Sequence, residues 1–394
     1  MIRNIWGYKM VDLRIFDKEL NPLGVVDEMA SLIWTIRYFN TGEAKLLAPV
    51  TSNNKELLVV GNIIVKHDGY VDYNDGTNNW YRAAEITYVH YKRDVTGKEQ
   101  IEATGSMITG WFNQRVITPQ LALTDTCQNI VNKLVNMNVG SSAASARQFP
   151  QFTLLAQEDL GGSSFDYSND DLKALGDEIR DVCQQGKLGY GLLICGETKQ
   201  YGFYLYAGAD LTADNEDGNA PCIFSREYDN VSDQEFEDNT LNIKNFAYVR
   251  GAADDDGTQE VVTVDEESAT GLSLKEVLID ATDIQRTATD SSGTQIDIDA
   301  TTYTAMLRSR GKTELAGMIE NYTFTSEINT NSNLKYKEDF DLGDRVTCVE
   351  PQWGVTINSR ITEIVQTFEA GRTLLQATFG ESAPSLLQKI RKVR

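Results

Sequence analysis

The stretch DFDLGDRVTCVEPQWGVTINSRITEIVQTFEAGRTLLQATFG, from Asp339 to Gly380, alternates apolar and polar side chains with a period of two, the pattern of half-buried strands. It reads as four short strands. Val346 and Cys348 alternate with Thr347 and Val349; Val355, Ile357, Ile361 and Val365 share one face; Leu375, Ala377 and Phe379 share a face of the last strand. Joined by short turns at PQWG and EAG, these strands predict a small antiparallel barrel. No catalytic cluster lies within it.

The same period governs the N-terminal part of the chain, from Met1 to about Gly110. MVDLRIFD alternates, while ASLIWTIRYFN, LLVVGNIIVKHDGY and YRAAEITYVHYKR are rich in the branched and aromatic residues that strands favour. The Asp-Gly pair in NDGT (Asn74 to Thr77) predicts a hairpin, and TSNNKELL (Thr51 to Leu58) a short helix. The middle of the chain changes period. Cys127, Ile130, Val131 and Leu134 follow at helical spacing after a start at Thr124. Leu172, Leu175, Ile179 and Val182 do the same after SNDD, where Ser168 and Asp171 loosely fit a capping box. GLLIC and YGFYLYAG then read as a strand pair, so Gln114 to about Gly208 forms a small α+β unit.

Beyond Gly208 the chain is acidic and strand-rich. KNFAYVRGAADDDGTQEVVTVD predicts a hairpin, KEVLIDATDI and ENYTFTSEI further strands, and Thr302 to Ile319 a helix broken near Gly311. Strands, one helix and a strand echo the shape of the N-terminal part. The expected class is therefore a β-rich α+β multidomain chain.

Charge excludes some partners. The net charge is −22, and Gly208 to Ala300 carries 23 acidic against 5 basic residues, a local balance of −18. No basic nucleic-acid footprint exists, and such acidity repels polyanions. The terminal KIRKVR has the opposite sign and reads as a solvated tail or a docking point for an acidic surface. No apolar run is long enough for a membrane-spanning helix, and MIRNIWGYKMVDLR lacks a signal-peptide core, so synthesis and folding in a cytoplasm are expected.

The search for chemistry returns nothing decisive. Cys127, Cys183, Cys195, Cys222 and Cys348 are odd in number, show no CxxC spacing and read as buried free thiols. His67 and His90 adjoin a turn and a strand, far in sequence from any helix-borne nucleophile. RGKTE (Arg310 to Glu314) resembles the end of a phosphate loop, but Met306 stands where the first glycine belongs. DNEDG and DDDG fail the calcium-loop frame. With Gly218 at the sixth position the ends are Ala213 and Phe224; with Gly257 they are Ala252 and Thr263. Trp6, Trp34, Trp80, Trp111 and Trp353 could stack on sugars, but most are flanked by strand residues and fit core or interface packing better. No catalytic, cofactor-binding or metal-binding residue is assigned and no cofactor is expected. An assembly component fits these observations better than an enzyme.

Several stretches resemble the tail hub proteins of siphophages and prophages, related to the central baseplate hub of contractile tails and to the N-terminal part of tail-associated lysins. They are GWFNQRVITP (Gly110 to Pro119), FSREYDN (Phe224 to Asn230), NIKNFAYVRG (Asn242 to Gly251), GLSLKEVLIDATDI (Gly271 to Ile284), LRSRGKTELA (Leu307 to Ala316) and the terminal stretch from Asp339. The resemblance implies two β-domains like the tail-tube fold, at residues 1–113 and 241–333. An α+β domain with an acidic connection would fill 114–240, and a small β-barrel with a basic tail 334–394. It further implies a homotrimeric ring at the virion tail tip that adapts sixfold to threefold symmetry. The expected partners are a distal tail or tube protein, a tape-measure protein and tail fibres, with DNA passing unbound through an acidic lumen. Family members that continue into a peptidase or lysin run well past Gly380, where this chain has only a short remainder, so no appended cell-wall enzyme is expected. The alternatives are a carbohydrate-binding adhesion protein and, behind it, a cell-wall hydrolase.

Overall fold

The computed structural model describes residues 11–380, apart from 27, 119–120, 170–172, 241–242, 255–256, 266–267, 290–294, 317, 319–320 and 370–371. Trp6 and KIRKVR lie outside the described residues. The chain opens with β1 (Asp12–Phe16), β2 (Pro22–Val25), β3 (Ser31–Arg37) and β4 (Glu43–Pro49), then α1 (Ser52–Leu57), β5 (Ile63–His67), β6 (Tyr73–Asn74), β7 (Asn79–Arg93) and β8 (Glu99–Met107). Local chemistry sets the joints. The Thr51 hydroxyl accepts the Asn54 N–H at 3.0 Å and starts α1. The Asp75 carboxylate accepts the Thr77 and Asn78 backbone N–H groups at 2.8 and 2.6 Å, closing the β6–β7 hairpin at the predicted Asp-Gly. Alternation decides the faces: Ala44, Leu46 and Ala48 of β4 are buried while Glu43 and Lys45 are exposed.

In the middle, β9 (Ala122–Asp125) pairs with β11 (Phe165–Ser168), and α2 (Cys127–Asn138) and α3 (Leu175–Gly186) flank the short β10 (Phe152–Leu154). α2 starts at a Thr126 cap, two residues after the expected Thr124, and buries Cys127, Ile130, Val131 and Leu134. The SNDD start predicted for the next helix is not used. Phe165 to Ser168 pair residue for residue with Asp125 to Ala122, so the strand ladder claims Ser168 and the helix begins at Leu175 without a side-chain cap. Leu175, Ile179 and Val182 are buried as the spacing requires, and Leu172 lies outside the described residues. β12 (Gly189–Cys195) and β13 (Gln200–Tyr206) form the expected antiparallel pair. β12 is buried on both faces, which explains its continuous apolar run, and its Leu193 and Ile194 pair with Arg82 and Tyr81 of β7.

After β14 (Asp210–Leu211), β15 (Ile223–Ser225) and β16 (Val231–Asn239) comes a unit with its own core. β17 (Phe246–Ala253) and β18 (Gln259–Asp265) form the predicted hairpin, turning at Gly257 with φ +83°. β19 (Glu276–Ala281) adds to β17 in parallel, and a small hairpin of β20 (Thr287–Thr289) and β21 (Gln295–Asp297) leads to α4 (Ala300–Ala316). Ala247, Val249, Val262, Val264 and Ile279 pack under Tyr303, Met306, Leu307 and Leu315 of α4. The helix runs unbroken through Gly311, against expectation. A Cβ there would lie 2.7 Å from side-chain carbons of Val249 and Val264, so the glycine permits close helix–sheet approach instead of ending the helix.

β22 (Asn321–Ile328) returns to the main sheet, followed by β23 (Arg345–Glu350), β24 (Val355–Glu369) and β25 (Arg372–Phe379). The terminal stretch is thus three strands, not four, because residues 355–369 form one 15-residue strand. Its register shifts against β25 between Ile361 and Glu363, and one extra residue inverts every later side chain. Ile361 is buried as predicted; beyond the bulge the buried set becomes Ile364, Gln366 and Phe368, and Val365 faces the other way.

No sheet among the described residues closes into a barrel, so the expected terminal barrel is corrected. The cause is β24 itself. Its first half pairs with β23, which β14 and β15 flank in parallel; its second half leaves that group and pairs with β3, Glu363 opposite Arg37 through Glu369 opposite Ser31. β25 pairs with β24 and β22, and β22 with β16. Among the described residues eleven strands therefore run in one open ladder, β2–β1–β5–β7–β8–β4–β3–β24–β25–β22–β16. One hydrophobic cluster reaches from Leu13 and Trp34 through Leu175 to Ile361 and Phe379.

Candidate functional site

The structure scatters the residue types that could carry chemistry. His67 is partly buried against Tyr81, ring centroids 4.4 Å apart, and burial with Arg14 nearby lowers its pKa; His90 lies beside Tyr88 near the surface. All five cysteines are free and buried. Among the described residues no group of three or more His, Cys, Asp or Glu could hold a metal ion. RGKTE lies within α4, where Arg310 pairs with Asp283 at 3.2 Å and the Thr313 hydroxyl donates to the Gln185 side chain at 2.8 Å. In DNEDG, Asp214 accepts from Asn358 at 2.8 Å; in DDDG, Asp254 pairs with Arg286 at 2.6 Å. Of the four described tryptophans, Trp34 and Trp80 are buried, Trp111 is half-buried, and only Trp353 is exposed, at 51%.

What the fold does bring together is a buried charge network at the junction of the N-terminal and C-terminal strands. Lys66 on β5, Asp68, Asp72, Arg82 on β7, Lys337 and Gln366 on β24 line one small concavity with Trp34 and Tyr336. The Lys66 ammonium pairs with Asp68 and donates to Gln366 Oε1 at 2.8 Å, crossing 300 residues of sequence. Asp72 lies 3.3 Å from Arg82 and 3.5 Å from Lys337, and Lys337 also pairs with Asp341 at 2.9 Å. Arg82 further donates to the Tyr204 and Tyr206 hydroxyls at 2.9 and 3.2 Å. Burial opposes the charge on Asp72, but Lys337 and Arg82 outweigh it and hold the carboxyl below its usual pKa. Burial pushes Lys66 down, with Asp68 opposing. Three cations facing three carboxylates leave no net charge to recruit an ion. The network links β5 and β7 to β24 and to the segment around Lys337, which are far apart in the chain.

A second joint lies next to it. The Tyr38 hydroxyl, just past β3, donates within reach of the Lys187 and Tyr206 carbonyls at 3.0 and 3.2 Å. The Arg360 guanidinium from β24 sits 5.1 Å from the Tyr38 ring centroid and donates to the Gly343 carbonyl. Gly343 has φ +100°, and a Cβ there would fall 2.3 Å from Tyr38 Cε2. Only glycine satisfies both the backbone and the ring.

Neither joint stands out in the sequence. The available signal is local: Lys66 interrupts the apolar IIVKH, and Arg82 interrupts WYRAA, charges on strands otherwise destined for the core. Their partners on β24 and around Lys337 lie far along the chain and follow no spacing rule.

Comparison with known proteins agrees with the fold. A family model described as Siphovirus ReqiPepy6 Gp37-like protein matches residues 12–381. Similar solved structures include the tail protein from Neisseria meningitidis MC58, at TM-score 0.54 and 12% identity over 94% of this chain and 97% of that one. Another is the prophage tail protein gp18 from Listeria monocytogenes EGD-e, at TM-score 0.51 and 11% identity over 97% and 98%. A third is the 43 kDa tail protein of prophage MuSo2 from Shewanella oneidensis, at TM-score 0.50 and 10% identity over 93% and 98%. At these identities the likeness is one of fold. No curated protein matches the sequence.

Proposed function

The chain belongs to the Siphovirus ReqiPepy6 Gp37-like protein family, a family of phage tail proteins, and on that premise we propose that it is the structural hub of the tail tip. Three copies form a ring that closes or extends the tail tube, each contributing two tube-like β-regions so that a threefold ring presents six similar lobes. Residues 1–113 supply one region and 241–333, with the strands it joins, the other. The role is non-enzymatic and needs no cofactor. Its neighbours are the distal tail or tube protein, the tape-measure protein and the fibres.

The observation that carries this reading is the continuous ladder through β3, β24, β25 and β22. It joins the N-terminal strands and the late strands in one hydrogen-bonded sheet, as a subunit bearing two lobes of a ring requires. The −18 of Gly208 to Ala300 has a use in such a ring. Carboxylates facing the channel repel the phosphate backbone and let DNA slide. The carboxylates Asp233, Glu235 and Asp238 on the edge strand β16 are the first candidates.

Light scattering on the purified chain, alone and with its tube-end partner, tests the reading. A mass near three times 43.9 kDa supports it. A monomer that persists with the partner present defeats it.

A further inference from the structure

Two exposed surfaces of the molecule complement each other. The first is the β7–β8 hairpin. From Thr87 onward β7 has a single strand partner, β8, and the tip beyond Tyr91 and Ile101 stands clear of β4 except at Gln100. Tyr88 and Tyr91 are more than half exposed and Val95 wholly so. Between Tyr88 and Lys98 the charges are Lys92, Arg93 and Lys98 against Asp94 alone. Arg93 pairs with Glu99, whereas Lys92 and Lys98 make no ion pair among the described residues. Asp94 is spent inside the turn, accepting the Thr96 and Lys98 N–H groups at 2.8 and 3.0 Å.

The second surface is the outer face of β18–β17–β19. α4 covers the other face, which carries Ala247, Val249, Val262, Val264 and Ile279. The alternate residues point away from it: Val261 is 52% and Leu278 59% exposed, with Tyr248 beside Leu278 in the ladder. Asp265, Glu276 and Asp280 surround them, and Arg250, the cation within this ladder, pairs with Asp280 at 2.7 Å. An apolar centre with an acidic rim thus matches an apolar, aromatic tip with a basic rim.

We propose that the β7–β8 tip of one chain seats on the outer face of β18–β17–β19 of a second copy, with Tyr91 and Val95 against Leu278 and Val261 and with Lys92 and Lys98 facing Glu276 and Asp265. Two chains that each carry −22 repel overall. That repulsion is screened beyond about 8 Å at physiological ionic strength, so the local charges decide where copies touch. The hairpin is where the sign reverses. Because the two surfaces differ, the contact is head-to-tail, the type that closes into rings. The inference rests on the ring reading above and supplies its contact.

The test is disulfide trapping in the full chain, whose own thiols are buried. Val95→Cys with Leu278→Cys, both at exposed positions, is oxidised beside a control pair, Val60→Cys with Leu278→Cys. The expected result is intermolecular bonding for the first pair and not the control, in a ladder ending at three chains. Lys92→Glu with Lys98→Glu should slow trapping about tenfold. Trapping no faster than the control, in a protein that light scattering shows to be trimeric, overturns this contact and leaves the ring reading standing. A ladder that runs on past three keeps the contact and defeats the ring. Absence of any association, with the tube-end partner present as well as without it, defeats both.

Discussion

Phe379 offers the sharpest test of the joined sheet. Its ring is fully buried on β25, with centroids 5.0 Å from Phe224 and 6.0 Å from Phe324. Its backbone lies opposite Phe324 on one side and Ile361 on the other. Phe379→Ala removes the ring and leaves a cavity bounded by three strands, at a cost of about 3–5 kcal/mol. For a chain of this size, at about 2.1 cal/mol/K per residue, the corresponding fall in Tm is roughly 4–6 °C. The informative assay is hydrogen exchange followed by mass spectrometry in sub-denaturing urea. Because β24 pairs with β3 from Arg37 to Ser31, loosening β25 and β24 must also expose amides of that segment. Peptides from both segments should lose protection together. If residues 345–379 exchange early while 31–37 keep their wild-type protection, the terminal strands are an independent module and the reasoning is wrong.

Gly343→Ala should destabilise by about 1–3 kcal/mol in thermal melts, because the new methyl meets the Tyr38 ring; Gly257→Ala, at φ +83° in open space, should cost less. Lys337→Met removes one of the two cations beside Asp72, which keeps Arg82, and should cost about 1.5–3 kcal/mol in urea titration, against at most about 1 kcal/mol for Arg93→Ala on the exposed hairpin. Asp72 and Asp181 are held below the usual carboxylate pKa against the opposing effect of burial, by Lys337 with Arg82 and by Lys173 with Arg180. Depressed carboxylates stabilise the fold above their unfolded pKa of about 3.9, so melts should show stability lost as pH falls below that value. Burial pushes the Cys222 thiol up to about 12, and the other thiols are buried too, so a thiol reagent at pH 8 should label the native chain far more slowly than the urea-unfolded chain.

Periodicity made most elements legible. The strand pairs β12–β13 and β17–β18, the spacing of Cys127, Ile130 and Leu134, and the buried face of Leu375, Ala377 and Phe379 all follow from local pattern. Other features had no local signal. The bulge after Ile361 inverts Val365 through one inserted residue that leaves no mark in composition. The Ser168 cap lost to a β-ladder whose partner, Ala122, stands on the far side of α2 in the chain. Gly311 carries the letter of a helix breaker, yet its place is set by Val249 and Val264. The largest feature hidden from the sequence is the pairing of β24 with β3, which sets Glu369 opposite Ser31 from the two ends of the chain. It turns an apparent appendix into the strand that joins the two halves. The charge network beside it was hidden for the same reason, since Lys66 and Gln366 meet only in three dimensions.

The most direct test of the hub reading is electron cryomicroscopy of the purified assembly viewed down its axis. The reading predicts three copies, six similar β-lobes around an open channel, and the carboxylates of residues 208–300 on the channel wall. A ring of any other order, or one whose 208–300 segment faces outward around a neutral or basic channel, contradicts it.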